Sequence, residues 1–330
     1  MVCQRDPLVL KVLQLYESIS KLEDLSPSKE VDALFTELVH LCIPPHPIDP
    51  TKLCPEIQEM RGKLISLCGR AEGLLEKHFT TLLASFDRPL DHLSLFPYHS
   101  NYLKLSRLEF DLLSKHTLTT PARVAFVGSG PLPLTSIVLA ANHLKSAVFP
   151  NFDIDASANA MAGKLVGPHP EISGRMEFHT ADIVDVPGEV LREYDVVFLA
   201  ALVGMDAEEK MHVVEHLAEN MAAGAILMLR SAHGARAFLY PVVDPRHLRG
   251  FELLPLYHPT DDVINSVVVA RRCPRPHPAP TCYAPSAPSF SLSTLSLSSR
   301  KSITAEPIVL YHFFLYIYLS HCDFHDYDCD

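Results

Sequence analysis

The chain has 330 residues, enough for about two domains. With 48% hydrophobic and 20% charged residues it reads as a soluble globular protein, not a disordered, collagen-like or multi-span membrane one. The net charge of -11 comes without a block of clustered Lys and Arg, so nucleic acid is not an expected partner.

Residues 1–118 read as helical. Val9, Val12, Leu13 and Tyr16 keep helical spacing, as do Val31, Leu34, Phe35 and Leu38, and Ser28 is placed to cap the second of these helices. Pro44, Pro45, Pro47 and Pro50 then force an extended connection. A longer amphipathic helix is expected over 55–86, with Met60, Leu64, Leu67, Ala71, Leu74, Leu75, Phe79 and Leu82 as its apolar stripe. Phe96, Tyr98 and Tyr102 gather before a last helix carrying Leu103, Leu105, Leu108, Leu112 and Leu113.

Residues 119–272 alternate short apolar strands with helical segments. The strand candidates are 124–127, 147–152, 176–179, 196–200, 226–229, 251–256 and 264–270. Near-continuous apolar runs suit strands buried on both faces, and the alternation predicts a doubly wound α/β sheet. The last two candidates are joined by too few residues for a crossover helix, so they should form an antiparallel hairpin. That makes a Rossmann-like sheet of the class I methyltransferase type, with an antiparallel final strand, preceded by an N-terminal helical domain.

Residues 273–330 change texture again, from a Pro-rich run to a Ser/Thr-rich one, and are expected to be a disordered tail. Its apolar stretch 308–320 contains His312 and is too short to span a bilayer unaided. It reads as a non-functional extension, the alternative being a tail that touches a membrane. The eight cysteines, Cys3, Cys42, Cys54, Cys68, Cys273, Cys282, Cys322 and Cys329, form no C-x-x-C pair, and no zinc spacing is present. The N-terminus lacks a basic and apolar leader. Free thiols, a reducing compartment and a cytoplasmic location follow. Tyr102-Leu-Lys-Leu fits a loose tyrosine-plus-apolar sorting pattern, which leaves vesicle association open, although such runs are usually ordinary helix sequence.

The strongest local signal is Val124-Ala-Phe-Val-Gly-Ser-Gly-Pro-Leu-Pro-Leu-Thr-Ser136. A buried strand ends in Gly128-Ser129-Gly130, and a helix is expected after Pro133. Gly128 permits the tight turn, Gly130 lets a ligand approach the backbone, and the helix N-terminus attracts an anion. The bland alternative is a simple strand-to-helix turn. The third glycine of G-x-G-x-x-G is replaced by Pro133, which disfavours a pyrophosphate cofactor. Asp155, or its neighbour Asp153, is placed to hold a ribose diol, and Asp182 to contact an adenine amine; each alone also reads as a solvated loop acid. Ala200, ending the fourth strand candidate, completes this adenosine pocket. S-adenosylmethionine, an adenosyl ligand with an amino-acid carboxylate, fits such a site.

Several stretches together make the sequence resemble the plant-type nicotianamine synthase family. They are Leu67-Cys-Gly-Arg-Ala-Glu-Gly-Leu-Leu-Glu76, Phe96-Pro-Tyr-His-Ser-Asn-Tyr102, Val127-Gly-Ser-Gly-Pro-Leu-Pro133, Tyr194-Asp-Val-Val-Phe-Leu-Ala-Ala-Leu-Val-Gly-Met205, Arg230-Ser-Ala-His-Gly-Ala-Arg236, Phe238-Leu-Tyr-Pro241, His258-Pro and Asn265-Ser-Val267. The resemblance covers roughly residues 8–272; Asp153-Ile-Asp155 departs from the pattern and the tail matches nothing in it. It implies condensation of three S-adenosylmethionine molecules into nicotianamine by 3-amino-3-carboxypropyl transfer, with release of three methylthioadenosines. It implies no metal or cofactor beyond S-adenosylmethionine itself. Other readings are a small-molecule methyltransferase on the same pocket and a non-catalytic binding homologue.

The attacking amine must be neutral, which calls for a base, and a partly buried carboxylate suits that task. At roughly 100° per residue, Glu72 and Glu76 lie about 80° and 120° from the centre of the apolar stripe, at the border of the buried face. An exposed acidic edge is the competing reading; the resemblance favours a base, with Glu76 ahead of Glu72. Tyr98 and Tyr102 are expected to hold the substrate amine or carboxylate, or to face the sulfonium, against simple core packing. Arg230, His233 and Arg236 follow the fifth strand, where an Arg can clasp a substrate carboxylate and His233 can equally be a packed loop histidine.

Overall fold

The computed structural model describes residues 6–274; the tail beyond them, with Cys282, Cys322, Cys329 and the stretch 308–320, and Cys3 at the other end, lie outside the described residues. Helix α1 (Pro7–Ile19) starts at Asp6, whose carboxylate accepts from the Leu8 and Val9 N–H groups, with Pro7 at the position where a missing N–H costs nothing. Ser28 caps α2 (Lys29–Cys42) by accepting from the Val31 N–H at 3.2 Å. Helix α3 (Pro55–Leu83) runs 29 residues and α4 is His99–Ser114. The apolar face of the first half of α3, Ile57, Met60 and Leu64, packs with α1 and α2; its second half, Phe79 and Leu83, joins α4 on the sheet.

The sheet strands are β1 (Val124–Val127), β2 (Phe149–Asp153), β3 (Met176–Thr180), β4 (Val196–Leu199), β5 (Ile226–Ser231), β6 (Phe251–Tyr257) and β7 (Ser266–Arg272). They lie in the order β3-β2-β1-β4-β5-β7-β6. The first five are parallel, and β7 runs antiparallel to both β5 and β6, so the expected hairpin is present. Side chains alternate between two cores, as strand geometry requires: Val124 and Phe126 face the layer of α3 and α4, while Ala125 and Val127 face the other side. Helices α5 (Leu134–Val138), α6 (Ala156–Val166), α7 (Pro170–Ser173), α8 (Gly188–Leu191) and α9 (Ala207–Asn220) connect the parallel strands. The helix expected after Pro133 is α5, which passes directly into a π turn at Leu139–His143.

Two strand starts differ from the sequence reading, and the strand ends after β1 shift by one or two residues. β2 starts at Phe149, since Val148 forms only an isolated bridge with Arg123. β7 starts at Ser266, because Ile264 packs against the helical cluster and Asn265 turns to the site described below. No disulfide involves Cys42, Cys54, Cys68 or Cys273. Among the described residues no helix is long and apolar enough to cross a membrane, and no group of three His, Cys, Asp or Glu could hold a metal.

Candidate active site

The strand order reverses between β1 and β4, and open α/β sheets hold ligands beyond the carboxyl ends of strands at such a reversal. A cavity of about 140 Å³ lies there. Its sheet side is made by Phe126 of β1, Gly128 and Ser129 just after it, Ala200 and Ala201 after β4, and Arg230 of β5. Helix α3 supplies Gly69, Glu72, Gly73 and Glu76, α4 supplies Tyr102, and Tyr240 and Asn265 complete the lining.

The four α3 residues are spaced i, i+3, i+4, i+7, so they form one stripe along the helix, with small residues alternating with acids. The loop after β1 is pulled against this stripe. Gly128 and Gly130 have φ of 78° and 64°, the left-handed region that favours glycine. A Cβ on Gly130 would stand 2.7 Å from Glu76 Oε2, so a side chain there would displace that carboxylate. The Gly130 N–H donates to Asp153 at 2.8 Å, and Thr80 of α3 donates to the Pro131 carbonyl at 3.2 Å.

The electrostatics set the chemistry. Burial pushes the Glu76 carboxyl well above the usual carboxylate range, and the charges of Glu72 and Asp153 push the same way; Arg230 and Tyr102 oppose them. Burial also raises Glu72, against the Tyr240 hydroxyl, which donates to its Oε2 at 3.1 Å, and against Arg230. Arg230 is itself buried and forked onto Glu109 of α4, with Nε to Oε1 at 2.8 Å and Nη2 to Oε2 at 3.0 Å, and it donates to Thr135 Oγ1 at 2.6 Å. Desolvation disfavours its charge, but Glu109 more than restores it. The guanidinium lies 5.7 Å from the Tyr102 ring centre and 5.5 Å from that of Phe126. Since Glu109 already balances Arg230, the two carboxyls on α3 and Asp153 leave the cavity with an acidic surplus. Such a site suits a cation and can take up a proton.

Of the residues singled out from sequence, Glu72, Glu76, Tyr102, Gly128, Ser129, Ala200 and Arg230 meet in this cavity, and Gly130 touches Glu76. The others stand elsewhere. Tyr98 packs at the start of α4 among helical and sheet residues, where burial first and then Glu72 raise its hydroxyl. Asp155 caps α6 through the Ser157 N–H and pairs with Lys77 of α3 at 2.9 Å, while Asp153 faces the glycine loop. Asp182 is exposed and caps a short turn through the Val184 N–H. His233 is exposed and stacked on His258, with ring centres 3.9 Å apart. Arg236 is buried and donates to the carbonyls of Ile43, Pro259 and Asp261, tying the helical layer to the β6–β7 connection.

Asn265, which the sequence leaves open between the sheet and the site, lines the cavity. Residues that sequence reasoning did not assign to the site are Tyr240, Thr135 and Glu109, the Arg230 partner. Lys210 of α9 also escaped it. This lysine is 7% exposed, donates to the Ala201 carbonyl at 2.9 Å and the Ala200 carbonyl at 3.3 Å, and is pulled down to about 7 by burial. The i, i+3, i+4, i+7 spacing of Gly69, Glu72, Gly73 and Glu76 was a sequence signal for the α3 stripe. No local signal marks Glu109 or Lys210.

Comparison with known proteins gives a consistent family. A family model described as "Nicotianamine synthase protein" matches residues 3–277. "Nicotianamine synthase" of Solanum lycopersicum is 63% identical over 277 residues, which is 84% of this chain and 87% of the relative. Among solved structures, MtNAS in complex with MTA and tNA superposes with a TM-score of 0.69 at 22% identity, covering 82% of this chain and 99% of that one. A Glu-to-Gln mutant of MtNAS in complex with S-adenosylmethionine gives 0.67 at 21% identity, covering 80% and 97%. At those identities the two structures speak for the fold.

Proposed function

The chain belongs to the nicotianamine synthase family, and from that premise we propose how its cavity divides the work of the reaction. The enzyme is an aminocarboxypropyltransferase with S-adenosylmethionine as its substrate. It joins three of these molecules into nicotianamine and releases three methylthioadenosines. In each transfer an amine nitrogen bonds to the carbon γ to the carboxylate of the donor, the C–S bond breaks, and its electron pair leaves on sulfur as a neutral thioether. The amine proton must go to a base. One of the transfers is intramolecular and closes the four-membered ring.

The observation that carries the assignment is the pair of half-buried carboxyls one helical turn apart, with raised proton affinity, beside the glycine loop. Glu76 is the base, and Glu72, one turn away, is held in place by the Tyr240 hydroxyl. The acidic surplus favours the sulfonium cation. Gly128, Ser129 and Ala200 form the nucleoside wall, Tyr102 meets the reacting chain, and Arg230 clasps a carboxylate. Residues 119–272 hold the nucleoside and residues 1–118 cover the site, excluding water and strengthening the electrostatics inside. We place the enzyme in the cytoplasm; Tyr102 of the sorting-like run lies in the cavity wall, which favours reading that run as helix sequence.

The test is incubation with S-adenosylmethionine alone, read by mass spectrometry. Nicotianamine and methylthioadenosine in a ratio of one to three support the reading. S-adenosylhomocysteine would mean methyl transfer, and binding without turnover a non-catalytic homologue.

A further inference from the structure

Two of the buried polar side-chain atoms without a hydrogen-bond partner line the cavity, Ser129 Oγ and Asn265 Nδ2. Asn265 is 8% exposed, so its amide is shielded from bulk water, and an unpaired buried donor is costly until a ligand satisfies it. Asn265 stands one residue before β7. Val267 pairs with Arg230 and Ser266 with Ser231 across the β5–β7 ladder, so Asn265 follows on past the carboxyl end of β5, and it and Arg230 both line the cavity. There Arg230 has committed Nε and Nη2 to Glu109 and Thr135, while Nη1 makes no hydrogen bond to another described residue. An amide donor and a guanidinium edge thus share one part of the lining. The carboxyls of the site, Glu72 and Glu76, belong to α3.

We propose that Asn265 is a substrate-binding residue that, beside Arg230, holds the α-carboxylate of S-adenosylmethionine. A pair of N–H donors matches a carboxylate and would repel the sulfonium or ammonium. The consequence is specificity for the group transferred. The reacting carbon belongs to the chain that ends in this carboxylate, whereas the methyl group on sulfur does not. Anchoring the carboxylate therefore orients the chain carbon toward the acceptor and leaves the methyl free of that constraint.

The inference rests on the function proposed above, and binding separates the two. Affinities of the full chain and its Asn265→Ala and Asn265→Asp variants are measured for S-adenosylmethionine, for decarboxylated S-adenosylmethionine and for methylthioadenosine, which lacks the whole amino-acid chain. The expected result is an S-adenosylmethionine affinity about 10–100-fold weaker in Asn265→Ala, the scale of one hydrogen bond to a charged group. Asn265→Asp should weaken it at least as much, because it sets an anion against the carboxylate. Methylthioadenosine and the decarboxylated compound should bind as they do to the unaltered chain. Equal losses for all three ligands would assign Asn265 a structural role, and no loss for any would remove it from the site; either overturns the proposal. A failure of the function itself shows separately, as S-adenosylhomocysteine formed by the unaltered chain.

Discussion

Glu76 is surrounded by groups that act on its proton in opposite directions. Burial, Glu72 and Asp153 favour the protonated form, and Arg230 and Tyr102 favour the ionised one. The net rise predicts that kcat/KM increases with pH through an inflection above the ordinary carboxylate range, as the base form appears. Glu72→Gln removes one of the charges that raise Glu76, so the inflection should move to lower pH; an unmoved profile would separate the two acids. Stability follows with a worked sign. A carboxyl whose folded pKa lies above its unfolded value stabilises fully at acid pH, and that contribution is lost as pH rises toward the folded pKa. Glu76→Gln stays neutral, so its melting temperature should exceed that of the unaltered chain by a gap that opens as pH rises from the ordinary carboxylate range. Lys210 has the mirror behaviour. Burial pulls it down to about 7, so it is protonated more readily in the unfolded chain, and its burden on stability eases as pH rises above 7. Lys210→Met should therefore change melting temperature most favourably at acid pH.

At the scale of elements, α3 is the part the sequence described best. Its length, its apolar stripe and the border position of Glu72 and Glu76 all follow from helical periodicity. The sequence could not show what stands opposite. Arg230 and Glu109 are 121 residues apart along the chain, and Tyr240 is 168 from Glu72. Such pairs depend on how α3 and α4 land on the sheet, which side-chain spacing does not encode. Arg236 shows the same limit: its type and position suggested a carboxylate clasp, whereas three backbone carbonyls occupy it. The α4–β5 ion pair yields a prediction of its own. Glu109→Ala leaves Arg230 buried and unpaired and should cost about 3–5 kcal/mol in chemical denaturation, while replacing both residues by leucine should regain much of that stability without activity. The α3–loop contact yields another. Gly130→Ala places a methyl group 2.7 Å from Glu76 Oε2 at a φ of 64°, so it should lower turnover far more than a change at exposed Gly62, where a Cβ meets nothing within 4 Å.

For the molecule as a whole, fold class was legible because burial on both faces writes itself into the strands as apolar runs. The antiparallel end of the sheet was legible because a short connection between 257 and 266 cannot hold a crossover helix. The site's outer cover was less so. One core cluster joins Phe79 and Leu83 of α3 and Leu105 of α4 to Phe126, Phe198 and Met228 of the sheet, so the helices that carry the acids are packed into the layer that carries the loop. All the residues assigned to the cavity lie between 69 and 265. A chain ending at Pro274 should accordingly keep its turnover of S-adenosylmethionine and its melting temperature; loss of either would give residues beyond 274 a part in the enzyme.

The central claim is that a carboxyl on α3 takes the amine proton during transfer. Its most direct measurement is product formation from S-adenosylmethionine by the Glu76→Gln chain, with substrate affinity read on the same sample. The account predicts near-unaltered affinity and turnover lower by about 10²–10⁴-fold, the usual contribution of a general base. Turnover at the rate of the unaltered chain, in Glu76→Gln and Glu72→Gln alike, would contradict it.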